Sequence, residues 1–148
     1  MTLVFAATPE ETTFIASWVA ERIDHVRGGD FGLCTSAGVV RNGDLVAGVV
    51  FNDWQPRHET LQVSIAASSN GWATRGVLVG LFEYAFQTAA ANKLWATMPH
   101  DRPDVLVFNR KLGFRQEGTL RHHFGPGRHA VISSILRAEW KRSPWGKE

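Results

Sequence analysis

Between Ser68 and Phe86 the sequence runs SSNGWATRGVLVGLFEYAF, small polar residues and glycine followed by apolar residues at helical spacing. A bare turn set directly against a helix start can bind an anion. The turn's backbone N–H groups and the helix's first N–H groups lack internal partners and point the same way. The spacing matches neither the Rossmann fingerprint nor the Walker loop, so the stretch alone also fits a plain capping turn. Other chemistry-bearing residues are sparser. Cys34 is the single cysteine; it could be an acyl-accepting nucleophile, but no histidine adjoins it in sequence, and a lone cysteine more often packs in a core. His122 and His123 with His129 suggest a metal site. Adjacent strand residues face opposite sides, however, so no metal is expected there. Trp54 and Trp72 could stack on a substrate base, or simply pack.

The elements that must position these residues are legible in the pattern. TPEETTFIASWVAERI predicts a helix, with Thr8 and Glu11 as a capping box and Pro9 at the first helical position. Phe14, Ile15, Trp18, Val19 and Ile23 form its apolar face. Asn42-Gly43 between two valine-rich runs predicts a hairpin. ETLQVSIAAS alternates, placing Leu61, Val63 and Ile65 on one face of a third strand. Leu78, Leu81, Phe82 and Ala85 share a face of the next helix, which Asn92 is expected to stop before the strand KLWATMP. Asp101 is expected to cap a further helix with a stripe of Val105, Phe108, Asn109 and Leu112, ended by Gly113. FRQEGTLRHHF and HAVISSILRAEW read as strands joined by the turn GPGR, and the tail KRSPWGKE as frayed. A helix between two strands allows a parallel crossover while hairpins require antiparallel neighbours. The expected fold is an α/β sandwich, one mixed sheet with helices on both faces.

The 148 residues, 44% hydrophobic and 20% charged, suit one globular domain spanning 1–148, with enough chain for a real core. No stretch approaches a membrane span, and MTLVFAATPEE does not resemble a signal peptide. One cysteine excludes an internal disulfide framework. These features fit a cytoplasmic protein. Net charge is +2, with basic residues crowding the C-terminal third: Arg110, Lys111, Arg115, Arg121, Arg128, Arg137, Lys141, Arg142 and Lys147. They form either a solvated face or a footprint for nucleic acid or a phosphorylated cofactor.

The strand, the turn with Gly71 and Ala73, the helix, and FNRKLGFRQEGTLR together resemble the GNAT superfamily of acyl-CoA-dependent N-acetyltransferases, from about Val39 to Trp140. WATRGVL and EYAF are similar to phage and prophage members in particular. The resemblance implies a mostly antiparallel central sheet and acetyl-CoA as co-substrate, its acetyl group moving to an amine by direct attack. It places the pyrophosphate on the N–H groups of Gly71, Trp72, Ala73, Thr74 and Arg75, although Ser68 stands where the family has a long polar residue. The pantetheine arm would pair with Ile65, Ala66 and Ala67, with an oxyanion held by N–H groups near Ile65 and Ala66. Phe108 and Asn109 on the last helix would face the cofactor. Asn109 occupies the family's tyrosine position and can donate to sulfur but cannot release a proton. Asp53 and Glu59 are the candidate proton acceptors, with His58, Glu117 and His122 behind them. The acceptor amine could be a small molecule, a protein or a nucleobase, and a homodimer is open. Two alternatives remain: a nucleobase-modifying enzyme of the phage Mom type, and a module that binds acyl-CoA without catalysis.

Overall fold

Asn42 and Gly43 both have positive φ, 52° and 85°, as a two-residue type I′ turn requires. Arg41 faces Asp44 across it. The hairpin joins β2 (Cys34–Arg41) to β3 (Asp44–Gln55), and β4 (Thr60–Ala67) extends the antiparallel meander. In the computed structural model, which describes residues 1–146, these strands form the centre of a seven-stranded sheet ordered β1-β2-β3-β4-β5-β7-β6. The remaining strands are β1 (Thr2–Phe5), β5 (Lys93–Pro99), β6 (Arg115–Leu120) and β7 (Ala130–Leu136). β4 and β5 run parallel, joined by a helical crossover, and the other neighbours are antiparallel.

Helix α1 (Pro9–Ala20) starts as the sequence predicts, with the Glu11 N–H donating to Thr8 Oγ1 at 3.1 Å. The Glu11 carboxylate reaches back to the Ala7 N–H at 2.7 Å. Its buried face is narrower than expected. Ile15 and Val19 reach the core, whereas Phe14 is 65% exposed. The helix lies so close to the sheet that a Cβ on Gly48 would meet Val19 Cγ2 at 2.5 Å. The opposite face is covered by α2 (Arg75–Glu83) and α3 (Pro103–Lys111). Leu78, Leu81, Phe82 and Ala85 are all buried there against Val49, Phe51 and Val63, each large apolar side chain contributing roughly 1.5–3 kcal/mol.

Several boundaries differ from the sequence expectation. β1 was not anticipated, since four residues are too few to show alternation above background. The α2 crossover does not run on to Asn92. It widens into a π-helical turn, Tyr84–Thr88, closed by the Ala89 N–H on the Tyr84 carbonyl at 2.8 Å. That turn seats Tyr84 between Phe5 and Phe51, with ring centroids 4.9 and 4.8 Å away. The Arg137 guanidinium donates to the carbonyls of Phe86 and Ala91 at the end of this segment, satisfying groups that a helix end leaves open. Asp101 does not cap α3; Arg102 occupies that position without a side-chain cap and pairs with Asp104 instead. β6 stops at Leu120, so His122 and His123 lie in a turn, not in a strand. β7 ends at Leu136, short of Trp140, and as far as Gly146 the chain that follows is packed, not frayed. It forms α4 (Arg137–Arg142), with Trp140 buried and the Trp145 indole donating to the Leu112 carbonyl at 2.9 Å.

Gly48→Ala places a methyl against a buried side chain that cannot retreat. Overpacking of this kind costs about 1–3 kcal/mol, and each kcal/mol moves the midpoint by about 2–4 °C. A thermal melt should show a fall of about 2–12 °C, with the far-ultraviolet spectrum unchanged.

Candidate active site

β4 and β5 stay paired for three residue pairs, Thr60↔Lys93, Leu61↔Leu94 and Gln62↔Trp95. Beyond Gln62 each strand follows its antiparallel partner, β4 along β3 as far as Ala67 and β5 along β7 as far as Pro99. The result is a V-shaped opening within the sheet. The ladder decides which backbone groups face it. Ser68 N–H donates to the Val46 carbonyl at 2.9 Å, and antiparallel ladders alternate bonded and non-bonded pairs. Ala66 and Ser64 therefore spend their backbone groups on β3, while Ile65 and Ala67 turn theirs toward the opening. This corrects one expectation: Ala66 is engaged elsewhere, so Ile65 and Ala67 are the residues that could pair with an inserted extended ligand.

The chain then enters the small-residue turn. Gly71 has φ of +82°, accessible to glycine at little cost. Thr74 caps α2, its Oγ1 accepting from the Val77 N–H at 3.4 Å, and its own N–H donates to the Trp72 carbonyl at 2.9 Å. The Thr74 N–H is thus committed and cannot serve an anion, contrary to expectation. Among the described residues the N–H groups of Gly71, Trp72, Ala73, Arg75 and Gly76 have no acceptor. A Cβ on Gly76 would meet nothing within 4 Å, so the approach is open. No acidic residue occupies the first turn of α2, which leaves its positive dipole end uncompensated. The Ser69 hydroxyl oxygen is buried without a partner in the same turn.

Two guanidinium groups flank this turn, and neither is paired with a carboxylate among the described residues. Arg75 begins α2. Arg41 comes from the β2–β3 hairpin, its Nη2 3.6 Å from where a Gly71 Cβ would sit. Arg41 was missed in the sequence because only the sheet register brings the hairpin beside Gly71.

Helix α3 lies over the sheet on the α2 side, held by side-chain contacts. Phe108 packs on Trp72, centroids 5.7 Å apart, tying the helix to the turn. Asn109, half-buried, accepts through Oδ1 from the hydroxyl of the fully buried Ser133 on β7 at 2.7 Å. The opening therefore adjoins Ile65, Ala67, the turn and α3 together. Asp53 and Glu59 stand apart. Both are exposed, with left-handed φ of 53° and 55°, at the far end of β3 and just before β4. At ~3.3 Å per residue, Glu59 is about 20 Å along the strand from Ile65. Gln55 donates to the Asp53 carboxylate at 2.6 Å. The structure does not bring these carboxylates to the opening.

On the α1 side, the loop after α1 crosses toward the β6–β7 turn, where His25 stacks on Phe124 at 3.9 Å. Burial, with Arg128 and His123 close by, pushes the His25 pKa below its ordinary value near 6.5; Asp24 opposes this. Its Nδ1 is buried without a partner. Glu117 is held below the usual carboxylate range by Lys93, 2.8 Å away, and by the Ser134 hydroxyl, so it stays an ion-paired carboxylate. Cys34 is half-buried, with its thiol pKa pushed up by burial and Asp30. His122 and His129 each accept a backbone N–H at Nδ1, and no group of three potential ligands among the described residues is arranged to hold a metal. The basic C-terminal third is not one patch. Arg137 is spent on carbonyls, Arg115 pairs with Glu139 at 2.9 Å, and Lys147 lies outside the described residues. No helix among them is long and apolar enough to cross a membrane.

No protein-family model and no curated protein matches the chain. Its fold, however, matches solved acetyltransferases. A chimera of spermidine N-acetyltransferase SpeG from Vibrio cholerae and hSSAT superposes with a TM-score of 0.76 over 97% of this chain and 100% of that one, at 16% identity. The dodecameric spermidine N-acetyltransferase from Vibrio cholerae gives 0.72 over 95% of each chain, also at 16% identity. A probable acetyltransferase gives 0.62 over 72% of this chain and 64% of that one, at 18% identity. The chain shares the fold of these acetyltransferases.

The His25 shift has a consequence for stability. The unfolded chain takes up a proton near pH 6.5 while the folded imidazole resists it, so this stabilisation is complete above pH 6.5 and declines as pH falls below it. Replacing His25 by Phe keeps a ring against Phe124 and removes the titration. Melting midpoints from pH 7.5 down to 5 should fall less steeply in His25→Phe than in the wild type.

Proposed function

We propose that this protein is an N-acetyltransferase that binds acetyl-CoA in the β4–β5 opening and passes the acetyl group to an amine. The observation that carries the reading is the parting of β4 from β5 beside a turn with five unaccepted N–H donors. An extended amide-bearing arm can pair with Ile65 and Ala67 as a partial strand, while its pyrophosphate rests on the N–H groups of residues 71–73 and 75–76. Arg41 and Arg75 add charge to that end. Phe108 and Trp72 wall the arm.

In the transfer, the neutral amine attacks the thioester carbonyl carbon, forming the C–N bond. Charge on the carbonyl oxygen is met by the gap-facing N–H of Ile65. The C–S bond then breaks with its electron pair going to sulfur, and CoA leaves as a thiolate that accepts a hydrogen bond from the Asn109 amide. The surplus amine proton passes to water. Polyamines are the first acceptors to test, because spermidine acetyltransferases share the fold.

A ligand that binds the folded state alone stabilises it by about 2.7 kcal/mol at a hundredfold excess over its dissociation constant. For a chain of this size that is a rise of roughly 5–10 °C in the melting midpoint. Acetyl-CoA should give this shift, and NADH and ATP, which lack the pantetheine arm, should not. Gly71→Glu, putting a carboxylate where the pyrophosphate sits, should abolish the shift. Equal shifts from all three ligands would reduce the turn to a generic anion site, and none with saturating acetyl-CoA would refute the reading.

A further inference from the structure

Asn109 is the one α3 residue tied by a side-chain hydrogen bond to the sheet among the described residues, and its partner is unusual. Ser133 is fully buried in β7, opposite Ala96 of β5, and its hydroxyl donates to Asn109 Oδ1 at 2.7 Å. A buried hydroxyl normally finds a partner nearby in its own backbone or a turn. This one reaches across from sheet to helix, 24 residues away in sequence. An amide has two ends, an oxygen that accepts and an NH₂ that donates. With the oxygen occupied by Ser133, the end left over is the donor.

We propose that Ser133 is a positioning residue. It fixes the Asn109 side chain in the orientation that presents its NH₂ group to the cofactor sulfur, so that the pair together lowers the proton affinity of the departing thiol. This rests on the acetyl-CoA reading above. Without Ser133 the amide is free to rotate, and half of its orientations offer the sulfur an oxygen lone pair, which repels a thiolate. The pair therefore does by hydrogen bonding what a proton-donating side chain would do by transfer. The thiolate departs as an anion and is protonated afterwards from water.

The test uses the complex with CoA, the reaction's thiol product, so it needs no acceptor amine. Thiolate absorbance in the ultraviolet is followed against pH for bound CoA, with the protein alone subtracted to remove Cys34. In the wild type the bound thiol should titrate at least one pH unit below free CoA. Ser133→Ala should move it back toward the free value, and Ser133→Thr, which retains the hydroxyl, should restore the wild-type value. Asn109→Asp preserves the shape and the bond from Ser133 but removes the donor, and should raise the thiol's pKa above that of free CoA. Melts with and without CoA establish that each variant folds and binds. A bound thiol whose titration is the same in wild type and Ser133→Ala, with CoA binding intact in both, overturns the proposal and leaves the acetyl-CoA reading standing. Failure of CoA to stabilise the wild type at all overturns both.

Discussion

Two adjacent parallel strands that stop hydrogen-bonding within a sheet leave backbone donors and acceptors without ladder partners, and such groups take water or a ligand in their place. β4 and β5 do this after Gln62 and Trp95. Each strand is held by its antiparallel neighbour, β4 by β3 and β5 by β7, so the sheet is two antiparallel blocks hinged at three residue pairs. Pro99 at the end of β5 has no N–H to offer across the opening. Everything else in the candidate site is arranged around that parting.

The elements on either side hold it in place. The α2 segment packs Phe82 and Phe86 into the core and ends under Arg137, whose guanidinium ties its last carbonyls to the end of β7. That fixes the end of this segment against the end of β7. Helix α3 is joined to the turn through Phe108 and Trp72 and to β7 through Asn109 and Ser133. On the other face, the His25–Phe124 stack joins the loop after α1 to the β6–β7 turn. The opening is therefore braced from both faces by contacts between elements far apart in sequence.

Local chemistry made much of this legible in the sequence. The Thr8 cap, the Asn42-Gly43 hairpin, the apolar face of α2 and the turn at Gly71 each follow from signals within a few residues, and the order of elements read from these signals carries the resemblance to acetyltransferases. What escaped depends on register or on tertiary contacts. Whether Ala66 or Ala67 faces the opening is a question of ladder parity, which the residue types do not reveal. Arg41 reaches Gly71 because β2 and β4 flank β3. Ser133 lies within the predicted strand HAVISSILRAEW, and only the packing of α3 gives its hydroxyl a partner. Asp53 and Glu59 drew attention as carboxylates near the middle strands, but the direction of the parting puts them at its closed end. The stretch from Lys141 reads as frayed because its polar composition conceals Trp145, whose indole bonds to the Leu112 carbonyl.

Amide hydrogen exchange, resolved by residue with and without acetyl-CoA, tests the central claim most directly. If the cofactor pairs as a strand in the opening, the N–H groups of Ile65 and Ala67 should gain protection on binding. Ala66, already bonded to β3, should change little. Protection gained at residues 71–76 with none at Ile65 and Ala67, or gained at Ala66 in their place, would contradict the account.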